Sequence, residues 1–259
     1  MPTFRSCILL VLLTACASSR PTPSTETRPA APSEETVLAD DVRVQRLAPG
    51  IWLHVTLAGE DWGRTPANGL LIEDGESSLL VDTGWNAKQA EHLLAWARDT
   101  LHRPVRAAVV THFHIDRTGG VPALEARGVP VYARAETAKL ASEHGQPVPA
   151  QRIADTKDLG PLSFFFPGAG HARDNLVVWH RASGLLFGGC FVKDADAHNL
   201  GNVADADVPA WPQSLERVRQ RYPDVRTVVP GHGLPGGLEL LTRTQELLRE
   251  AGTGGPAPH

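Results

Sequence analysis

Apolar and polar residues alternate along residues 42–47 and again along 51–57. That period of two predicts a pair of half-buried strands turning at Pro49-Gly50. Shorter runs of the same kind cover 69–72 and 78–82, with Asp74-Gly75 between them as a hairpin signal. The intervening stretch 59–68 holds Gly, Asp and Pro around Trp62 and reads as a loop. The period then changes: Ala90, Leu93, Leu94 and Ala97 recur at helical spacing within 87–101. Residues 105–111 form a short apolar strand, and 120–127 and 136–143 read as helices. The second half continues in this style, with strands over 162–166, 176–180 and 184–187, a helix over 209–221, a strand over 226–229 and a closing helix over 238–251. Two groups of strands with interspersed helices predict an α/β layered sandwich, and the strand pattern leaves its topology open.

The ends of the chain follow different rules. Arg5 precedes the apolar stretch from Cys7 to Leu13, which is too short to span a bilayer, and residues 1–17 read as an export signal. Leu13-Thr14-Ala15-Cys16 has the form of a bacterial lipobox, which would make Cys16 a lipidated first residue. Ala15-Cys16-Ala17 also fits a small-x-small site, so ordinary cleavage after Ala17 is the competing reading to the favoured lipoprotein one. Residues 18–40, rich in Pro, Ser and Thr, read as a flexible linker, 41–252 as one domain and 253–259 as a disordered tail. The expected location is the periplasm, with membrane contact only through a lipid at Cys16 and the protein a monomer. A net charge of -4 gives no reason to expect a nucleic-acid partner. Of three cysteines only Cys190 lies in the domain, so no internal disulfide is available. A lone thiol in an oxidising compartment calls for a function.

Candidate chemistry gathers where strands end. His112, His114 and Asp116 stand at i, i+2 and i+4 after the apolar strand, and in extended chain His112 and His114 reach the same point. Thr118-Gly119-Gly120 then allows a tight turn into a helix, leaving Asp116 at the rim. Two imidazoles and a carboxylate suit zinc, although solvent-facing loop histidines would give the same motif. Three further ligand types occupy similar contexts: His171 after Gly168-Ala169-Gly170, Cys190 after Gly188-Gly189, and His232 between Gly231 and Gly233. Glycines beside each let the backbone come close and aim the side chain. His54, His92, His102, His144, His180, His198 and His259 are taken as packing or surface residues.

These residues resemble the metallo-β-lactamase superfamily, and within it subclass B1, over nearly all of 42–251. Residues 201–207, Gly201-Asn202-Val203-Ala204-Asp205-Ala206-Asp207, and 230–237 are similar to the VIM type. The resemblance implies a four-layer αββα sandwich, two mixed β-sheets with helices on the outer faces, and a site on one edge. It also implies two zinc ions, one held by His112, His114 and His171 and the other by Asp116, Cys190 and His232. Most hydrolases of the superfamily resemble HxHxDH and carry a bridging Asp where Cys190 stands, whereas position 117 here is Arg. The single-zinc subclass resembles NxHxD, whereas His112 stands first here. The segment 150–164 looks shorter than its VIM-type counterpart, so a clipped surface hairpin is expected there.

The activity implied is β-lactamase hydrolysis of the lactam amide in penicillins, cephalosporins and carbapenems, giving antibiotic resistance. It would proceed by attack of a zinc-bound hydroxide without an acyl-enzyme, metal coordination lowering the pKa of water to about 7. Asp116 and Asn202 are the catalytic candidates, with Asn202 near the carbonyl oxygen. Lys193 is the candidate for the substrate carboxylate and Trp62 for the tip of a covering flap. Asp82 and Arg117 are candidates for orienting the ligands. Two rivals remain: another hydrolase of this fold acting on lactones, thioesters or phosphoesters, and a non-catalytic periplasmic zinc-binding lipoprotein.

Overall fold

The structure, a computed structural model, describes residues 35–253; the export signal, Cys16, Ala17, most of the linker and residues 254–259 lie outside the described residues. Two mixed sheets make up the centre of the domain. The first has eight strands in sequence order: β1 (Glu35–Ala39), β2 (Val42–Ala48), β3 (Ile51–Leu57), β4 (Pro66–Asp74), β5 (Ser77–Val81), β6 (Val105–Val109), β7 (Val131–Ala133) and β8 (Gln151–Arg152). It is antiparallel as far as β5 and parallel from β5 to β8. The second contains β9 (Thr156–Leu159), β10 (Leu162–Phe165), β11 (Val177–His180), β12 (Leu185–Gly189) and β13 (Thr227–Pro230), antiparallel except for the parallel pair β12 and β13.

Alternation along the strands builds the layers. Leu70, Ile72, Leu79 and Val81 face Phe164, Val178, Phe187 and Val229 across the space between the sheets. Their neighbours Leu71 and Leu80 face outward onto Leu93, Leu94 and Ala97 of α1 (Ala87–Asp99) and Leu124 of α3 (Val121–Ala126). On the far side, Val177, Trp179, Leu186 and Val228 meet α5 (Trp211–Arg221) and α6 (Glu239–Thr253). A period of two thus feeds two cores from one strand, which is the physical basis of the four layers. Two helices break this scheme. The single turn α2 (Ile115–Thr118) follows the histidine run, and α4 (Ala135–Glu143) packs Leu140 and Ala141 on Phe113 and Ala172 instead of covering a sheet.

Several boundaries differ from the sequence reading. Residues 35–39, assigned to the linker, pair with β2 as an edge strand whose Val37 is 68% exposed, so no buried alternation marks it. Residues 66–68, assigned to a loop, extend β4, where Asn68 pairs with Val55 despite the Pro and Gly around it. The short strands β7 and β8 and the polar β9 were not expected; β9 and β10 form an antiparallel hairpin in the region where one was expected. Thr253, placed in the tail, ends α6.

The turn after the histidine run also has a different cause. Gly119 has an ordinary helical φ of -57 and Gly120 one of -86. What they supply is space: a Cβ at Gly119 would sit 2.1 Å from the Trp85 carbonyl oxygen, and one at Gly120 2.4 Å from that of Thr83. Replacing Gly119 by Ala is expected to destabilise the fold by about 1–3 kcal/mol through overpacking. Thermal unfolding checks this, with Tm falling by about 2–4 °C for each kcal/mol.

Candidate metal centre

The ends of β6, β12 and β13 and the loop before β11 open on one edge of the sandwich, and there the ligand candidates converge. His112 and His114 follow β6, Asp116 and Arg117 ride on α2, and His171 lies between β10 and β11. Cys190 follows β12 and His232 follows β13, brought side by side by the parallel register that pairs Gly189 with Pro230.

His114 Nδ1 lies 3.2 Å from both His112 Nε2 and His171 Nε2. Donors bonded to zinc at about 2.0–2.1 Å in a tetrahedron stand about 3.3 Å apart, so this spacing is that of a ligand set. Two of the three remaining ring nitrogens are held from outside, and His171 Nδ1 is buried without a partner. His114 Nε2 is held by Asp205 Oδ2 at 2.9 Å, and His112 Nδ1 faces Thr111 Oγ1 at 3.3 Å. Burial, and then the neighbouring imidazoles, holds His112 well below the usual histidine pKa; burial, and then Lys193, does the same to His171. Both are therefore neutral at pH 7, the form in which imidazole binds metal.

The second trio has the opposite electrostatics. Cys190 Sγ lies 3.1 Å from His232 Nε2 and 3.7 Å from Asp116 Oδ2, and His232 Nε2 lies 3.4 Å from that oxygen. His232 Nδ1 is turned to the Pro66 carbonyl oxygen at 2.5 Å, leaving Nε2 for the site. Burial alone would lower the pKa of His232, but Cys190 and Asp116 raise it to about 10. Burial would likewise raise Asp116, yet Arg117 and His232 hold it well below the carboxylate range. A cysteine sulfur, a carboxylate oxygen and an imidazole nitrogen within 4.8 Å of one another form a donor set that fits zinc, as the three histidines do.

Arg117 is wholly buried behind this trio. Its Nη2 donates to Cys190 Sγ at 2.8 Å and to the Gly231 carbonyl at 3.0 Å, and pairs with Asp116 Oδ2 at 2.8 Å. Its Nη1 donates to the Asn68 carbonyl at 2.5 Å and to Asp82 Oδ2 at 3.3 Å. Asp82 has a φ of 59, in the left-handed region that costs an ordinary residue energy. It accepts from the Thr111 amide at 2.7 Å and hydroxyl at 2.9 Å. Burial outweighs Arg117 and Thr111 to push the Asp82 pKa up to about 6.

Beside the two trios lies a cleft of about 570 Å³ lined by Trp62, Trp85, Lys193 and Asn202 among others. Trp62, 62% exposed on a single 3₁₀ turn, has its ring 6.0 Å from that of Trp85. Lys193 has its ammonium 5.5 Å above the Trp211 ring, and burial lowers its pKa. Asn202 Oδ1 accepts from the Ala204 amide at 3.1 Å, which turns its amide nitrogen away from that bond.

Some contributors had no local sign in the sequence. Asn68 donates through Nδ2 to the carbonyls of Pro230 at 2.9 Å and Gly233 at 2.8 Å, clamping the loop that carries His232. Asp205 holds His114 from a quite different segment. His144 and His198, taken as packing or surface residues, line the cleft.

The layered fold and paired donor trios define a class. Residues 62–232 match the model of the metallo-beta-lactamase superfamily, and the chain belongs to that superfamily. It is 39% identical to the type 2 metallo-beta-lactamase of Bacteroides fragilis, over 82% of this chain and 88% of that protein. A metallo beta lactamase from Erythrobacter litoralis superposes with a TM-score of 0.79 at 38% identity, over 82% of this chain and all but a little (98%) of that one. FIM-1 from Pseudomonas aeruginosa, solved in a mono-zinc form, gives a TM-score of 0.80 at 36% identity, over 84% of this chain and 100% of its own.

Two outcomes follow from the donor chemistry. Cys190→Ser is expected to lose metal from the Asp116–Cys190–His232 site first, read by metal analysis of protein dialysed against limiting zinc. Acidification should discriminate in the same direction. Zinc entering that site displaces a proton that His232 holds up to about pH 10, whereas His112 and His171 are already neutral at pH 7. Affinity of the second site therefore rises with pH, by roughly tenfold per pH unit for each proton displaced. Site-resolved cobalt spectra taken from about pH 8 down to about pH 6 should show the thiolate-containing site emptying first.

Proposed function

We propose that this protein is a type 2, subclass B1 β-lactamase that hydrolyses the amide of penicillins, cephalosporins and carbapenems. The observation that carries the reading is the pair of chemically distinct donor trios opening on one cleft, with Arg117 paired to Asp116 and Cys190. Zinc bound there supplies Lewis acidity and a water whose pKa is lowered to about 7.

The chain's own residues supply the rest. The Lys193 ammonium, 5.5 Å over the Trp211 ring, receives the carboxylate of the substrate. The Asn202 amide, its oxygen engaged by Ala204, is left to donate to the lactam carbonyl oxygen. Asp116 both ligates and, from its position beside the tri-histidine set, orients the attacking water. Trp62 closes over the substrate and excludes bulk water. Arg117 and Asp82 act through the ligands by fixing where Asp116, Cys190 and Thr111 stand. No serine lines the cleft among the described residues, and Cys190 would be engaged as a zinc ligand, which favours direct attack by water over an acyl-enzyme.

The runs 201–207 and 230–237 favour a place near the VIM type, and the N-terminal 17 residues favour export to the periplasm with a lipid at Cys16. Lys193 and Asn202 in the cleft favour β-lactamase activity over a zinc-storage role, and Cys190 favours it over the thioester, lactone and phosphoester hydrolases.

Zinc-loaded protein is expected to turn over nitrocefin, penicillin and imipenem but not aztreonam, with all activity lost to EDTA. Absence of turnover with every one of the first three would overturn the reading. Lys193→Ala should lower kcat/KM by roughly tenfold or more, mainly through KM, as the loss of a charge-assisted hydrogen bond does.

A further inference from the structure

Three residues beyond His171, the chain buries an aspartate that neither zinc site uses. Asp174 is 0% exposed. Both of its carboxylate oxygens lack a hydrogen bond of ordinary geometry, as do the buried Thr137 hydroxyl and Arg134 Nη1. Unpaired buried polar atoms are costly one at a time, and a buried carboxylate with both oxygens unpaired is a place for a polar neighbour or a bridging water. Burial pushes the Asp174 pKa up to about 6, against the nearby Thr137 side chain, the charge of Arg134 and the backbone of Phe113, all of which favour the ionised carboxylate.

The location gives the cluster its meaning. Phe113 is the residue between His112 and His114. Asp174 belongs to the loop that carries His171, and Thr137 lies on α4, with Arg134 just before its first turn. Arg134 is itself fixed, donating to Asp155 at 2.7 Å with its guanidinium 3.6 Å over the Phe166 ring. On the apolar side of the same joint, Phe113 packs with Ala172, Leu140 and Ala141. Three imidazoles therefore come from two loops, and both loops rest on α4, a helix that covers neither sheet. The backbone bond from Leu176 N to Thr111 O, 2.8 Å, joins the loops at one end only.

We propose that Asp174 is a positioning residue for the tri-histidine site, holding the His171 loop and the Phe113 peptide at fixed separation against Thr137 of α4. The polar cluster sets angle and distance where the apolar contact sets only proximity. It acts on one zinc site and not on the other, because Asp116, Cys190 and His232 are referenced to Arg117 and Asn68 instead. The inference rests on the zinc reading of the site and not on the identity of the substrate.

Asp174→Asn preserves shape and removes the charge. Metal-free wild type and D174N would be titrated with cobalt(II), the thiolate charge-transfer band reporting the Cys190 site and the d–d bands the tri-histidine site. Loss of a residue that orients ligands costs about 10- to 100-fold in metal affinity. That loss is expected at the tri-histidine site alone, with kcat recovering in excess zinc. Unchanged affinity at both sites, or equal weakening of both, would overturn the proposal, the latter showing general loosening. Should D174N fail to fold, Thr137→Val decides in its place: wild-type affinity at the tri-histidine site of the folded variant would overturn it equally. Because metal binding is read directly, a failure of β-lactam turnover would leave this result interpretable.

Discussion

A single guanidinium buried among anions and carbonyls organises the metal-bearing edge. Arg117 has no access to water and touches Asp116, Cys190 and Asp82 together with the carbonyls of Asn68 and Gly231. Those partners come from α2, β4, the end of β5, the end of β12 and the loop after β13, so one side chain references nearly every element that carries a second-site donor. Taking such a charge out of water is expensive, and removing one member of a buried cluster typically costs about 3–5 kcal/mol. The planar fork of arginine suits this task because its five donors point in fixed directions. Lysine, a point charge on a flexible stem, could neutralise the anions without fixing their angles.

The two donor sets divide the electrostatic labour. Three neutral imidazoles leave a bound dication its full charge, which favours polarising a carbonyl. A thiolate and a carboxylate largely cancel that charge at the second site, which suits holding an anionic or nitrogen leaving group without trapping it. The same contrast marks the protein's own imidazoles: burial drives His112 and His171 toward neutrality, while Cys190 and Asp116 drive His232 toward the cation. Neighbouring sites with opposed proton affinities are a familiar way for one cleft to perform two chemical tasks.

What the sequence revealed depended on whether the signal was local. Strongly alternating segments such as β2 and β3 were legible because each carries its burial pattern within a few residues. The ligands were legible because spacing and flanking glycines mark them without reference to distant chain. Edge strands β1 and β9 were not, since an exposed strand needs no apolar alternation and takes its order from a partner. Asn68, Asp205 and Asp174 were not either: each is one polar residue whose importance lies in a contact with sequence far away. Gly119 and Gly120 were noticed for the wrong reason, because a need for space is invisible until the neighbouring backbone is placed.

The clamp between Asn68 and Pro230 joins residues 162 positions apart. Closing so long a loop carries an entropic cost that is met only once most of the chain has been built. His112, His114 and Asp116 emerge first, Cys190 much later, and His232 arrives after the crossover through α5 that a parallel pair of strands demands. A chain interrupted before β13 would hold the tri-histidine donors and an unmatched thiol, with the anions around Arg117 still missing their imidazole. Completion of the second zinc site is thus a report that the final strand has docked against β4 and β12.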